Sequence, residues 1–379
     1  WDRKRKAKDS ERQVKSMLEM QVGKAIQILS RRNGITEVLL ETDHPVRKAI
    51  NYDRMTGKVS VGDMLYLNTT AASLGLGTGG FHFVMLNASH EKLSMTSGGH
   101  GMKLRYTPFQ VKVPFEEEEN KGVEECFNRP LNLNNRLLFF GELHSMIPPL
   151  CACIRYFLGE KCRIAYLMTD HGALPLEFSK NVAFLREKKM LDTVITIGNA
   201  FGGDHECVNI YTGLQAAAYL EGCDIILVAM GPGITGTGTR YGFSGLEMGF
   251  YLDLAYRRGG QCCYIPRISF ADRRSRHYGL SHHSRTLLGE ILQSPISLVL
   301  PIVRRREQKY LLEQLNHANL SGKYPMILSD GSYIRTAMDA YQLSVTTMGR
   351  NIEQDPAFFY AIGAAARTGL SQFHQRDGL

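Results

Sequence analysis

The segment from Asp224 to Gly249 reads DIILVAMGPGITGTGTRYGFSGLEMG and indicates the fold class of the chain most clearly. It begins as an uninterrupted apolar segment, passes through a loop in which Gly and Thr alternate, and ends in a segment with helical character. An apolar strand that leads into a helix is typical of an open sheet whose two faces are covered by helices. Because glycine at this density costs backbone entropy on folding, the loop is expected to need positive φ angles or close approach to a bound group.

The same strand-then-helix pattern repeats on both sides of this stretch, at a spacing of roughly 30 residues, which is the length of a βα unit. It predicts a Rossmann-like α/β domain over residues 131–379, with an open, mostly parallel sheet and helices on both faces. The predicted strands read RLLFFGEL, CRIAYLMTD, TVITIGN, DIILVAMG, QCCYIPRI, ISLVLPIV and YPMILSD.

The pattern is different before residue 116, where short β segments are separated by Gly, Asn, Asp and Pro. These segments predict a small all-β, barrel-like domain over residues 21–115. The acidic run Glu116–Glu119 then breaks all periodicity and predicts a linker over residues 116–130. The predicted strands of the small domain read AIQILS, TEVLLET, VRKAINY, MLYLNTT, FHFVML and QVKVPF.

The charge of the chain is concentrated at its beginning. The net charge is +8, and the first sixteen residues contain seven Lys or Arg against three Asp or Glu. We interpret residues 1–20 as a disordered basic tail, with an arm that touches nucleic acid as the alternative. The chain lacks interleaved aromatic residues and a recognition-helix pattern, which argues against nucleic-acid binding.

The apolar segments exclude a membrane protein and favour a cytoplasmic one. No apolar run reaches the roughly 20 residues that a membrane span needs, and no signal-peptide core follows the basic residues. The eight cysteines lie in or beside apolar segments without paired CxxC spacing. They are therefore interpreted as free thiols rather than as disulfides or zinc ligands.

Candidate catalytic residues follow the predicted strands, because ligands of open α/β sheets bind beyond the carboxyl ends of the strands. His144, also at a strand end, is expected to border the same concavity. Asp204 has a second interpretation as a helix N-cap, whereas its neighbour His205 is harder to explain by capping. The predicted acid/base residues are Asp170, His171, Asp204, His205 and His282.

The glycine-rich segment, which we call the Gly-Thr loop (residues 231–239), is the candidate ligand site. It contains the pattern GxGxxG, but further loop residues follow before the helix and no phosphate-loop lysine is present, so the match to a dinucleotide fingerprint is weak. Backbone N–H groups and Thr hydroxyls still predict binding of a small anion. A nicotinamide or flavin cofactor and a merely tight crossover remain alternatives, and no cofactor is identified. The predicted ligand-binding residues of the loop are Gly231, Gly233, Gly236, Thr237, Gly238 and Thr239.

Basic residues elsewhere are predicted to meet the same anion. Arg267 follows the fifth strand, and Lys103 and Arg105 belong to the small domain, which would close as a lid. A plain hairpin loop with solvated charges is the alternative for these two. The histidines His277, His282 and His283 are possible ligands of a divalent metal, together with His144, Asp170, Asp204 or Glu206. Their spacing fits no known signature, however, and no metal ligand is assigned.

Several long segments together resemble an uncharacterised bacterial family that is known only as a domain of unknown function. The similarity runs from about Val22 to Ala366, and it implies a bacterial cytoplasmic protein with this two-part organisation but no particular reaction. The segments are LNTTAASLGLGTGGFHFV, MKLRYTPFQVKV, AYLMTDHGALPL, AFGGDHECVNIYTGL, VAMGPGITGTGTRYGFSGLEMG, PRISFADRRSRHYGLSHHS and TMGRNIEQDPAFFYAIGAAA.

Two classes of function follow from these residues. The first is an enzyme that acts on a small anionic metabolite bound at the Gly-Thr loop. Acid/base residues beside an anion site favour this class, because folding alone does not require so many polar groups in one place. The second is a ligand-sensing or scaffolding protein that uses the same cleft without turnover. The sequence leaves both classes open, together with the question of a homo-oligomer.

Overall fold

The computed structural model describes residues 16–94, 98–119 and 122–377. The chain forms two compact units, Trp1–Thr96 and Ser97–Leu379. Of the basic tail predicted at residues 1–20, residues 1–15 lie outside the described part. Within the described residues, no helix combines the length and apolar character that a membrane span requires. The eight cysteines are free, and six of them are buried.

The first unit is a closed five-stranded barrel with the strand order β1-β2-β3-β5-β4, as the alternating segments predicted. Pairing of β1 with both β2 and β4 closes the barrel. Inward-facing apolar residues such as Val38, Leu40 and Leu65 form its small core. Its elements are β1 (Met20–Arg32), β2 (Ile35–Glu41), β3 (Lys48–Tyr52), α1 (Asp53–Thr56), β4 (Met64–Asn68), α2 (Thr70–Ser73) and β5 (His82–Asn87).

The second unit is built on a sheet of six strands, with the order β11-β10-β9-β12-β8-β13. All its pairings are parallel. Numbered along the chain this order is 4-3-2-5-1-6, which differs from the Rossmann order 3-2-1-4-5-6. The strands are β8 (Leu137–Gly141), β9 (Ile164–Thr169), β10 (Thr193–Ile197), β11 (His205–Cys207), β12 (Ile225–Met230) and β13 (Gln261–Ile265), and the hairpin β6 (Gly101–Lys103) and β7 (Val111–Val113) precedes them.

Helices cover both faces of this sheet, which explains why its strands are nearly continuous apolar runs. Alternate residues of one strand enter opposite cores: Leu137 and Phe139 pack in one, and Leu138 and Phe140 in the other. The helices are α3 (Glu116–Glu119), α4 (Glu124–Asn128), α5 (Ile147–Leu158), α6 (Lys180–Glu187), α7 (Ile210–Gln215), α8 (Glu247–Arg257), α9 (His282–Thr286), α10 (Arg305–His317), α11 (Ile334–Ala340) and α12 (Pro356–Asp377).

The last two predicted strands do not join the main sheet. β16 (Leu298–Pro301) and β17 (Met326–Ser329) pair only with each other, in parallel, and β14 (Ile268–Ser269) and β15 (Gly279–Leu280) form a separate antiparallel pair. The sixth strand of the main sheet is instead β11, a short polar segment whose composition gives no strand signal. Because β11 is extended, the prediction of Asp204 as a helix N-cap is wrong: Asn209 caps α7 through a capping box.

The acidic run Glu116–Glu119 forms the short helix α3 and lies in the second unit. The β6–β7 hairpin, whose residues were assigned by sequence to the small all-β domain, lies in the second unit as well. Only five of the six segments predicted for that domain are therefore strands of the barrel. Side-chain contacts account for the position of the hairpin, because buried Lys103 pairs with Glu206 of β11.

Candidate functional site

The ligand crevice of an open α/β sheet is expected here between β9 and β12, at the carboxyl edge of the sheet. These strands are neighbours, yet the chain continues from β9 toward β10 and from β12 toward β13, in opposite directions along the sheet. Such a reversal is where ligands of open α/β sheets bind. The two loops touch, since the N–H of Ala173 donates to the carbonyl of Pro232 at 2.7 Å. A Cβ atom on Gly172 would lie 2.4 Å from the carbonyl oxygen of Gly231, so a side chain there would force the loops apart.

Two carboxylates and one imidazole meet beside this crevice, and we call Asp170, His171 and Glu247 the Asp170 group. One oxygen or nitrogen from each lies within 4.8 Å of those of the others. The closest ionic contact joins His171 Nε2 and Glu247 Oε2 at 3.5 Å. Hydroxyl groups of Thr169 and Tyr251 donate to the Glu247 carboxylate. In this group the exposed imidazole of His171 therefore lies beside the Glu247 carboxylate, which two hydroxyl groups keep in place.

The environments of the members differ. Glu247 is buried, and this burial raises the pKa of its carboxyl. Half of the His171 side chain is exposed. Asp170 accepts the N–H of Asn199, which follows β10, at 3.1 Å. Sequence reasoning found Asp170 and His171 but missed Glu247, although an acidic residue at the start of the helix after the Gly-Thr loop was a usable signal.

The Gly-Thr loop folds back on itself as a narrow turn. The N–H of Thr237 donates to the carbonyl of Gly242, and the hydroxyls of Thr237 and Thr239 lie 2.8 Å apart. Gly233 and Gly238 have φ angles of 102° and 83°, as expected for a glycine-rich loop that needs positive φ angles. Within the described part of the chain, no acceptor is found for four further backbone N–H groups of the loop, those of Gly233, Ile234, Gly236 and Gly238.

At Gly236 the loop lies against His283, which forms a group with His277 and His282 that we call the histidine cluster. A Cβ atom on Gly236 would lie 3.1 Å from His283 Nε2, and Phe243 stacks on the His283 ring at a centroid distance of 4.1 Å. One ring nitrogen of each histidine lies within 4.8 Å of those of the others. Burial, reinforced by neighbouring positive charges, lowers the pKa of His277 and His283 to about 3. Both rings are therefore neutral at physiological pH.

Behind the histidine cluster lies the fully buried Glu142, which follows β8. Its Oε1 accepts hydrogen bonds from Tyr264 and Ser284, and its Oε2 lies 3.8 Å from His283 Nδ1. Desolvation raises the pKa of this carboxyl. Sequence reasoning singled out His282 and did not find Glu142, because Glu142 and the cluster meet only when β8 and the segment after β13 come together.

Arg267 lies in the same region but does not reach out to a ligand. Its side chain is buried and lies 3.5 Å from the carboxylate of Asp272, which also pairs with Arg274 at 2.8 Å. Burial lowers the pKa of the Arg267 guanidinium. The arginine predicted to hold an anion is thus part of a buried ion-pair network.

Asp204 and His205 were predicted to share the cleft with Asp170, but the structure places them near the other edge of the sheet. Asp204 accepts the N–H of Val194, the second residue of β10, and pairs with Arg186 at 2.7 Å. His205 lies between two carboxylates, at 2.9 Å from Glu116 and 2.7 Å from Glu221. The physical reason is the direction of β11: these residues open a parallel strand, whereas Asp170 follows one.

Lys103 and Arg105 do not form a lid carried by the first unit, since both belong to the second. Lys103 is fully buried, 2.5 Å from the carboxylate of Glu206, and it donates to the carbonyl of Ala200. Arg105 is exposed and lines a cavity of about 440 Å³ with Asn199 and other residues of the second unit. Lys103 is therefore a structural cation, and Arg105 remains accessible.

His144 is a core residue rather than a member of the concavity. Its ring nitrogens bond to the hydroxyls of Tyr166, at 3.1 Å, and of Ser179, at 2.7 Å. Burial lowers the pKa of His144 to about 4, so the ring is neutral. Ser179 also caps helix α6, which makes His144 a link between that helix and the sheet.

The fold and the site define a mixed α/β protein with an additional barrel unit and polar groups at the carboxyl edge of its parallel sheet. The chain belongs to the DUF3866 family, described as "Protein of unknown function", whose model matches residues 48–366. The resemblance to a family of this kind is thereby confirmed. Comparisons with curated proteins and with solved structures gave no match.

Proposed function

We propose that this chain is an enzyme that acts on a small anionic metabolite, bound in the crevice between β9 and β12 as in a Rossmann-like sheet. The observation that carries the proposal is that the Asp170 group lies beside the first residue of the Gly-Thr loop. Gly172 and Gly231 touch there, so an exposed imidazole and a loop of free N–H donors border one crevice. Acid/base residues beside an anion site are the usual components of a catalytic centre.

The Gly-Thr loop provides the anion site. Its free N–H groups are donors that do not titrate, and such donors bind phosphate or carboxylate oxygens. The hydroxyls of Thr237 and Thr239 bond within the loop, to the Gly242 carbonyl and to each other, and so hold the turn that presents these N–H groups. A positive charge lies nearby, because a Cβ atom on Gly238 would be 3.5 Å from the Arg276 guanidinium carbon. The ligand class that fits is therefore an anion small enough to lie along the loop.

The Asp170 group provides proton transfer. An imidazole is the side chain that most often serves as a general acid or base near neutral pH. His171 is accessible to a ligand, and the Glu247 carboxyl group, 3.5 Å from its Nε2, orients the ring. We therefore assign proton abstraction from, or donation to, the bound metabolite to His171, and a positioning role to Glu247.

The first test asks whether the loop binds an anion. Phosphate, pyrophosphate, nucleotides and dicarboxylates are added to the purified chain at constant ionic strength, and the thermal unfolding midpoint is measured. A ligand at a hundredfold excess over Kd stabilises the native state by about 2.7 kcal/mol. The double variant Thr237→Val with Thr239→Val should lose this shift, whereas the matched variant Thr368→Val on α12 should keep it. No shift with any anion would refute the loop as a binding site.

The second test separates an enzyme from a sensor. His171→Asn and Glu247→Gln are compared for affinity and turnover of whichever anion binds. An enzyme loses turnover in His171→Asn while affinity changes little, since proton transfer typically contributes about 100- to 10,000-fold. Unchanged biological effect and affinity in both variants would favour the non-catalytic ligand-sensing or scaffolding protein.

A further inference from the structure

Three imidazoles converge within seven residues of sequence in the segment HYGLSHH, which contains the histidine cluster. The ring centroids of His277, His282 and His283 lie 4.9, 5.0 and 4.3 Å apart, pair by pair. From this geometry we propose that the histidine cluster binds one first-row divalent transition-metal ion, for which Zn²⁺ is the probe. Imidazole nitrogens are preferred ligands of Zn²⁺ and of its neighbours in the series.

Hydrogen bonding selects the nitrogens that would bind the metal. His277 Nδ1 is bonded to the Ser281 hydroxyl at 2.8 Å, and its Nε2 has no hydrogen bond to any of the described residues. His282 Nε2 is buried and has no partner among the described residues. His283 Nδ1 faces Glu142, so its Nε2, beside Gly236, is the nitrogen on the loop side. We therefore assign Nε2 of all three rings as the ligand atoms.

Two of the rings, those of His277 and His283, have a polar group beside the ring nitrogen that would not bind the metal. A ligating histidine usually directs its second ring nitrogen to a carboxylate, a backbone carbonyl or water, and a hydroxyl group can fix the tautomer in the same way. Ser281 does this for His277, and it also caps α9 by accepting the N–H of His283 at 3.2 Å. The Oε2 atom of fully buried Glu142 faces His283 Nδ1 at 3.8 Å and has no other partner among the described residues.

Simple packing does not account for this arrangement. Buried polar atoms are nearly always hydrogen-bonded, yet His282 Nε2, His283 Nδ1 and Glu142 Oε2 are buried without a hydrogen bond. A metal ion would take the lone pair of His282 and, through His283, polarise the Nδ1–H toward Glu142. Asp272 pairs with Arg267 and Arg274, which are two of the four arginines whose positive charge acts on His282.

Three protein ligands leave one position of a tetrahedral ion open, as in catalytic rather than structural zinc sites. The Gly-Thr loop borders the cluster at Gly236, so an anion on the loop would be near that position. Metal binding does not depend on the proposed function, because it is measured without substrate. A result that refutes the metal site would therefore not refute the proposed enzyme, and the reverse also holds.

The first measurement is zinc content. The full-length chain is treated with a chelator, desalted, incubated with ZnCl₂, passed over a chelating resin and analysed by mass spectrometry for zinc. About one ion per chain is expected. Absence of retained zinc, together with no binding in titration of the metal-free chain, would overturn the proposal.

Variants locate the ion. His277→Asn and His282→Asn should each weaken zinc binding by more than 100-fold in competition with a chromophoric chelator, and Glu142→Gln by about 10- to 100-fold. His205→Asn is the matched control, since its imidazole also lies between polar partners but outside the cluster, and it should bind zinc as the unmodified chain does. Zinc lost in His171→Asn but retained in His277→Asn would place the ion at the Asp170 group and overturn the assignment.

X-ray absorption of the zinc-loaded, unmodified chain does not depend on whether variants fold. Three imidazole ligands at about 2.0 to 2.1 Å are expected. Sulfur ligands would place the ion on cysteines, and oxygen ligands alone would place it on carboxylates. Either result would overturn the site.

Discussion

Within the second unit the dipeptide Asp-His occurs at Asp170-His171 and at Asp204-His205, and these two copies have opposite environments. The first follows β9 at the carboxyl edge of the sheet, where His171 is half exposed. The second lies at the start of β11, where Asp204 pairs with Arg186 and His205 lies between two glutamates. The comparison teaches that the end of the strand and the surrounding charges, not the dipeptide, decide whether such residues are free for chemistry.

The largest effect on stability is expected at β11, where charges are paired and buried. Lys103→Met would leave Glu206 buried without its cation, and breaking such a pair costs about 3 to 5 kcal/mol in the free energy of unfolding. Chemical denaturation measures this loss. The exposed Lys309→Met is the control, with a change within about 0.5 kcal/mol. A loss under about 1 kcal/mol in Lys103→Met would mean that this region is not held by its ion pairs.

A smaller, pH-dependent effect is expected for His205→Asn. Although burial alone lowers the pKa of His205, hydrogen bonds and charge from Glu116 and Glu221 raise it overall. Its stabilising contribution is therefore complete below the unfolded pKa of about 6.5 and is lost as pH rises through the folded-state pKa. Denaturation at pH 6 should show a loss of about 2 kcal/mol, typical of hydrogen bonds to charged groups, and a smaller loss at pH 9.

The control for this prediction is His100→Asn, an exposed histidine, which should change the unfolding free energy little at either pH. An equal loss at both pH values in His205→Asn would show that packing, not charge, accounts for its role. The distinction between the two Asp-His pairs would then rest on exposure alone.

Asp204→Asn should cost at most about 1 kcal/mol, because more than a third of each side chain in its pair with Arg186 is exposed and solvent screens such pairs. The asparagine Oδ1 can still accept the Val194 N–H. The loss is expected to shrink further in high salt, which denaturation at two ionic strengths measures. A loss that does not respond to salt would contradict the surface-pair assignment.

The smallest effect on stability is expected for His171→Asn, within about 0.5 kcal/mol, since its ring is half exposed. The same variant should nevertheless remove turnover of the bound anion. His171→Asn is thus expected to affect turnover but not stability, whereas His205→Asn is expected to affect stability. A large loss of stability in His171→Asn would make the first Asp-His pair structural as well.

Local patterns predicted much of the fold. Five of the seven apolar runs after residue 130 are strands of the parallel sheet, and five of the six earlier segments form the barrel. Both results follow from periodicity, which reports how many faces of a strand are buried. The short polar strand β11 was not predicted, because its place in the sheet depends on Lys103 and Thr196, which pair with Glu206.

The candidate site was predicted in part. The loop that follows Asp170 and His171 contacts the Gly-Thr loop, since carboxyl ends of parallel strands share an edge. Glu247 and Glu142 were missed, and Asp204 and His205 were placed at the wrong edge. Each of these errors concerns a residue whose neighbours come from another strand, information that spacing along the chain does not contain.

The sequence by itself determined the apolar strands, the change from alternating to continuous patterns, the positions of the glycine loop and the family of the chain. These features depend on periodicity and residue chemistry, and a short segment of the sequence contains both without any tertiary contact. Only the tertiary structure decided the strand order, the edge at which each Asp-His pair lies, and the meeting of Glu142 with His283. Those outcomes depend on packing between segments distant in the chain, because pairing and desolvation act in space rather than along the sequence.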